Sequence, residues 1–221
     1  MWSLLAPIPM PERGKPAAQT LALQAPAEKG VPFVAMVVPG DLQAIPTIGG
    51  LSCCCTTILH LQTEHGPQLI DITDQVEAAV RASGVVEGSV LIFSRHTTAA
   101  IKINEHEPLL LEDISAFLQR LCPREGDYNH NDFTRRTVNM EVDECPNAHA
   151  HCLHLLLNSS ETVPISEGQM LLGRWQRIFF VELDSARPRQ VVIQVTGQLA
   201  LPKESEHRKR NGQSTRQSLI S

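Results

Sequence analysis

With 221 residues, 42% of them hydrophobic, the chain suffices for one well-cored domain and is too short for two large ones. A formal net charge of −5 and an isoelectric point near 6.0 argue against a basic nucleic-acid surface, and one Tyr with two Trp provide no stacking platform for bases. No run of about 18 apolar residues is present, so no transmembrane helix is expected.

Residues 1–50 hold eight of the 15 prolines and little periodicity, which predicts a largely disordered extension with an apolar patch at VPFVAMVV. The opening MWSLLAPIPM has no basic n-region and is broken by Pro7 and Pro9, so it does not read as a secretory leader. Cys53, Cys54 and Cys55 are consecutive, a poor basis for a disulfide framework, and no CxxC pair exists. Reduced thiols and a cytoplasmic location are expected. Residues 56–64 and 68–73 read as strands about a turn at Gly66-Pro67. Asp74 with Glu77 predicts a helix start, with Val76, Ala79 and Val80 as its apolar face and Gly84 as its stop.

Residues 89–95 and 99–103 are strand-like, and Pro108 opens a helix that runs towards Pro123. A polar stretch, 124–145, precedes a second helix beginning near Pro146. The last third reads as strands: TVPI, QMLLG, WQRIFFVELD and RQVVIQVTGQL. A polar tail follows from 202. The expected fold is α+β, with mostly antiparallel sheet and about three helices, over residues 51–201.

Four polar clusters stand where strand or helix patterning does not require them. His96, Thr97 and Thr98 interrupt apolar strand material, and Asn104-Glu105 follow eight residues later; a His and a nearby Glu suit metal ligation or proton transfer. Tyr128 and His130 lie in a loop-like segment. In NAHAHCLH a helix would align Asn147, His151 and His154, and would turn His149 roughly 200° away from His151. Finally, Arg174, Arg187 and Arg189 are able to hold phosphate oxygens. HExxH, GxSxG, Walker and post-strand GxGxxG patterns are absent. Three histidines would favour Zn²⁺ with an open position, whereas carboxylates with phosphates would favour Mg²⁺.

In order and spacing, HTTAAIKINEHE, LLLEDISAFL, YNHND, NAHAH, SSETVPISEGQMLLGRWQRIFFVELD and RPRQVVIQVTG resemble the YjbQ-like family, also called UPF0047. The resemblance covers roughly residues 51–200. It implies a compact α+β domain, a homotrimer, and a metal or anion near a histidine-rich cleft. It also implies a secondary thiamine-phosphate synthase, which joins a hydroxymethylpyrimidine diphosphate to a thiazole phosphate and releases pyrophosphate. Carried over by position, the family pattern retains His96, Asn104, Glu105, Asp113, His130 and His151, leaves His149 and His154 variable, and matches Gly173, Trp175, Gln176 and Arg189.

The implied scheme places His96, His130 and His151 on a divalent metal, Zn or Mg. His96, Asn104, Glu105 and Asp113 form the catalytic set, and Thr97, Thr98 and Arg189 hold a small phosphorylated metabolite. The alternatives are a metal-dependent hydrolase and a non-catalytic trimeric protein that binds a metal, anion or metabolite. Neither nucleic acid nor membrane is an expected partner.

Overall fold

The computed structural model describes residues 37–39, 43–47 and 50–200. Most of the expected N-terminal extension, and the tail from 202, lie outside the described residues. The elements in chain order are β1 (Val37–Pro39), β2 (Gln43–Thr47), β3 (Gly50–Gln62), β4 (Gln68–Asp71), α1 (Thr73–Ser83), β5 (Val85–Ser94) and β6 (Ala99–Glu105). There follow α2 (Pro108–Leu121), α3 (Ala148–Leu156), β7 (Ser160–Ser166), β8 (Gln169–Met170), β9 (Gln176–Glu182) and β10 (Pro188–Leu199). A 3-10 turn, Asn129–Asn131, lies between α2 and α3.

Every strand pair is antiparallel. One sheet runs β1-β3-β10-β5-β7-β8, with β2 also on β3, and a second runs β4-β9-β6. The fold is thus α+β, with three α-helices among the described residues, as the pattern predicts.

Period-two burial explains the large sheet. Along β10, Arg189, Val191, Ile193 and Val195 point inward in alternation, and Leu59, Leu61, Val90, Ile92, Val163 and Ile165 join them from neighbouring strands. This face packs on Ile101, Ile178 and Phe180 of the small sheet and on Val76, Ala79 and Val80 of α1. The small sheet is apolar on both faces, because its other side carries Ala100, Phe179, Val181 and Leu183. Those residues meet Leu118 of α2 and Ala150 and Leu153 of α3. Three layers result, and β9 lies within the middle one, so five consecutive residues from Ile178 to Glu182 are buried.

One local expectation is corrected. Asp74 does not cap α1. The Asp71 carboxylate accepts the Thr73 N–H at 2.9 Å and its hydroxyl at 2.6 Å, while Asp74 accepts from Arg177 at 2.9 Å. A carboxylate just before a helix serves its free first-turn N–H groups from outside the helix. Gly84 ends α1 as expected, in a left-handed conformation at φ 70°.

Candidate functional site

The β5–β6 connection carries His96, Thr97 and Thr98. His96 Nε2 accepts the Gln190 N–H at 2.8 Å, so that nitrogen is unprotonated and already occupied. Burial, then the Arg189 charge, holds the imidazole below its usual value. Thr98 is buried and its hydroxyl accepts from Arg189 at 3.0 Å, whereas Thr97 is exposed.

Arg189 has a structural occupation. Its Nε donates to Glu182 Oε2 at 2.6 Å, and its Nη2 donates to Oε1 of the same carboxylate. Glu182 also accepts the backbone N–H of Leu183 and Asp184 and the Thr63 hydroxyl. This closed knot of fork-to-fork and backbone bonds satisfies a buried ion pair. An arginine so held, 4% exposed, is not a reaching arm for phosphate.

Asn104 and Glu105 lie at the far end of β6 from His96. Six residues of strand put them about 20 Å from its start. Asn104 Oδ1 accepts the Glu105 N–H at 2.9 Å, and the pair faces Arg177 and Gln176 of β9. That end has its own charge cluster: Asp71 accepts from Arg177 Nε at 2.7 Å and lies 2.8 Å from His106 Nδ1. Arg177, Thr73 and His106 outweigh burial and hold the Asp71 carboxyl below its ordinary range. Asp113 is exposed on α2. One chain therefore does not assemble His96, Asn104, Glu105 and Asp113 into a single site. A β-strand carries neighbours in sequence away from each other along its axis, which motif spacing does not convey.

His130 and His151 do meet. Their ring centroids are 4.9 Å apart at 69°, and His130 Nε2 is buried without a hydrogen-bond partner among the described residues. The 3-10 turn docks on the start of α3 through Asn131, whose Oδ1 accepts the Ala148 N–H at 3.0 Å. Asn147 precedes α3 without capping it, and its Oδ1 is also buried and unpaired. An Arg136–Glu144 ion pair of 2.6 Å pins the intervening loop. Burial, then His130, pushes the His151 imidazole down, so it is favoured neutral. His154 bonds Ser159 Oγ at 3.1 Å and is likewise lowered by burial.

Across α3 lie Asp184 and Arg124, which the motif reading did not assign, together with Arg187, which it offered for phosphate. Asp184 is fully buried; its Oδ2 accepts from Arg187, and its Oδ1 has no hydrogen bond although Arg124 Nη2 lies 3.7 Å away. Arg124 Nη1 also donates to the Asp184 carbonyl at 2.8 Å. Two part-exposed guanidinium groups thus face one carboxylate. The Asp184 charge acts on both His149 and His151. Gly66 makes this approach possible, since a Cβ there would lie 2.5 Å from the Asp184 carbonyl oxygen. The available sequence signal was an Asp between two strands with Arg nearby, and Arg124 gave none.

The family model described as "UPF0047 protein YjbQ-like" matches residues 57–198. The chain belongs to this family. It is 42% identical over 142 residues to a UPF0047 protein of Methanothermobacter thermautotrophicus, a match that spans 64% of this chain and 92% of that one. It is 32% identical over 140 residues to the UPF0047 protein YugU of Bacillus subtilis, spanning 63% and 97%. Among solved structures, a YjbQ-like protein of unknown function from Sulfolobus solfataricus is similar with a TM-score of 0.60 at 36% identity, covering 66% of this chain and 99% of that one. A YjbQ/UPF0047 protein from Clostridium acetobutylicum gives 0.55 at 37% identity, covering 62% and 98%. No helix among the described residues is long and apolar enough to cross a membrane.

Proposed function

We propose that the protein is an enzyme acting on a small phosphorylated metabolite, with the His130–His151 pair moving a proton and the Arg124–Arg187 pair holding phosphate. The observation that carries this reading is the His130–His151 contact at 4.9 Å, with His130 Nε2 buried and unpaired. Buried polar groups are ordinarily bonded, so an orphan ring nitrogen against a neutral imidazole marks a place where a bound molecule completes the bonding. The neutral state of His151 suits a proton acceptor near neutral pH. The excess of guanidinium over carboxylate at Asp184 favours an anion, and Arg is well shaped for phosphate.

The reaction we propose is the one the family resemblance implies: joining a hydroxymethylpyrimidine diphosphate to a thiazole phosphate with release of pyrophosphate. The thiazole nitrogen's lone pair would form the new C–N bond as the C–O bond to pyrophosphate breaks; the arginines would stabilise the departing pyrophosphate, and the imidazole pair would pass it a proton taken from solvent. A divalent ion, Zn or Mg, was expected on His96, His130 and His151. His130 and His151 provide two donors, but no group of three His, Cys, Asp or Glu side chains converges among the described residues of one chain. A resident metal would need a further donor, and no step here runs through one.

We also propose a homotrimer. Its support is the exposure of large apolar side chains, Leu109, Phe117 and Leu121 on α2 and Leu155 and Leu156 on α3, which association would cover. Light scattering on the purified chain tests this, and a monomer at micromolar concentration would overturn it.

The deciding experiment is growth rescue of a bacterial strain lacking its main thiamine-phosphate synthase. Rescue by the wild-type chain, lost with His151→Ala, is expected. Failure of the well-expressed wild type to rescue would overturn the transferase reading.

A further inference from the structure

The two edges of the small sheet are finished differently. The Ile72 N–H bonds the Ile178 carbonyl at 2.8 Å, and the Leu183 N–H bonds the Thr98 carbonyl at 3.1 Å. With the strand register, these two bonds fix which residues face which neighbour. Ile178, Phe180 and Glu182 turn their main-chain groups to β4, and Phe179, Val181 and Leu183 turn theirs to β6. On β6 the outward amide of Ile101 donates to the Asn158 carbonyl at 3.0 Å. On β4 the N–H and C=O of Leu69 point outward, and neither has a partner among the described residues. Such an edge is ordinarily covered or paired.

Beside it, between β4 and α2, runs a groove of about 480 Å³. Leu69 forms one wall, and Leu111, Ser115 and Ala116 of α2 form the other; His65 and Pro67 stand where β3 leads into β4. Leu69 and Leu111 are half-buried and rest on the apolar cluster beneath α2. A free main-chain edge beside an apolar groove suits an added strand. Main-chain bonds hold the strand, and alternate side chains enter the groove. A residue paired opposite Leu69 shares its face and so points towards α2.

The path of the chain names the occupant. β1 is antiparallel to β3, with Val37 opposite Leu59 and Pro39 opposite Thr57. The chain before Val37 therefore heads towards Gln62 and the connection that carries His65 and Pro67. Residues 1–36 lie outside the described residues, but their sequence includes Leu21-Ala22-Leu23-Gln24-Ala25, which alternates and holds no proline. In a strand, Leu21, Leu23 and Ala25 share one face. Residues 26–36 span up to about 35 Å when extended, ample chain to lead back to β1. The segment also precedes the family match at 57–198, so this partner belongs to this chain and not to the shared domain.

We propose that residues 21–25 add to the open edge of β4 as a further strand of the small sheet, with Leu23 opposite Leu69 and its side chain in the groove against Leu111.

The test is amide hydrogen exchange by NMR on the full chain, comparing Leu69 with Ile70. Ile70 is bonded to Phe180 within the ladder in every variant, whereas the Leu69 N–H is bonded only by the added strand. Leu69 should be protected in the wild type. Leu23→Asp should speed its exchange at least about tenfold, the worth of one lost hydrogen bond, and leave Ile70 unchanged. Ala116→Trp, which fills the groove from α2, should act in the same way. A benzoylphenylalanine photoprobe at position 23 should crosslink to α2 of its own chain, read by mass in assemblies of ¹⁵N-labelled and unlabelled chains. Open-chain exchange at Leu69 in the wild type overturns the proposal, as does protection that Leu23→Asp leaves intact. A crosslink away from the groove overturns it too, and one between labelled and unlabelled chains makes the occupant a second copy instead.

Discussion

Two buried polar clusters differ in how completely their bonds are closed. Around Glu182 and Arg189, both carboxylate oxygens and two guanidinium nitrogens are bonded, with backbone N–H groups and Thr63 and Thr98 completing the set. Around His130, Asn147, His149 and Asp184, each residue leaves a buried polar atom without a hydrogen bond. The first cluster resembles a rivet between β9, β10 and the β5–β6 connection. The second retains bonding capacity that the protein itself does not use. Burial and charge alone do not separate structural from functional groups; the count of satisfied bonds does.

The largest expected effect comes from breaking the closed cluster. Arg189→Ala leaves Glu182 charged, buried and unpaired, and should cost about 3–5 kcal/mol in urea unfolding. The double variant Arg189→Met with Glu182→Leu should lose much less, because no lone charge remains. If the double variant were as unstable as the single one, the rivet would owe its effect to shape and not to charge pairing.

Breaking the open cluster should act on activity instead. His130→Ala and His151→Ala are expected to reduce turnover by about 10²–10⁴-fold, the range for lost acid–base catalysis. Their urea midpoints should move far less than that of Arg189→Ala. Equal loss of stability in both clusters would remove the contrast.

Acid should reveal the same difference. His149, His151 and His154 are all held below the ordinary histidine value, burial being the first cause in each. Between the folded and unfolded values the unfolded chain binds more protons, so this contribution is complete above about pH 6.5 and is lost as pH falls through the lower folded values. Urea midpoints should be flat from roughly pH 8 to 7 and then fall towards 5. His149→Leu should flatten that fall, and a slope unchanged by the substitution would refute the sign for His149. At pH 7 this variant should also be neutral or stabilising, since it removes an unpaired buried atom.

The smallest effect is expected for Asp113→Asn. On the exposed face of α2 it should change stability by less than about 0.5 kcal/mol, and activity not at all if one chain supplies the site. A marked loss of activity with unchanged stability and assembly state would point to Asp113 of one subunit reaching the site of another.

Much of the fold was legible, because period two and period 3.6 are local properties. The alternation through Val191, Ile193 and Val195 placed β10, Gly84 ended α1, and Pro108 opened α2. The same alternation held an unused signal: Arg189 falls on the inward face with those valines and isoleucine, which already argued for a buried partner and against a phosphate arm. The Asp71 cap was harder to see, since Asp74 and Glu77 offer a capping pattern that Arg177, about a hundred residues away, redirects.

The candidate site divides the same way. By itself the sequence determined that His149 and His151 point apart, because 100° per residue on a helix admits no other result for adjacent odd positions. Only the tertiary structure decided what each one meets: His130 on one side, a small cavity with Arg124 and Glu125 on the other. It also decided that His96 and Glu105 occupy opposite ends of β6, and that Asp184 gathers Arg124 and Arg187. The physical reason is that periodicity is written by the backbone, residue by residue. Contacts between β9, α3 and the 3-10 turn arise from which apolar faces pack together, and no short motif encodes that.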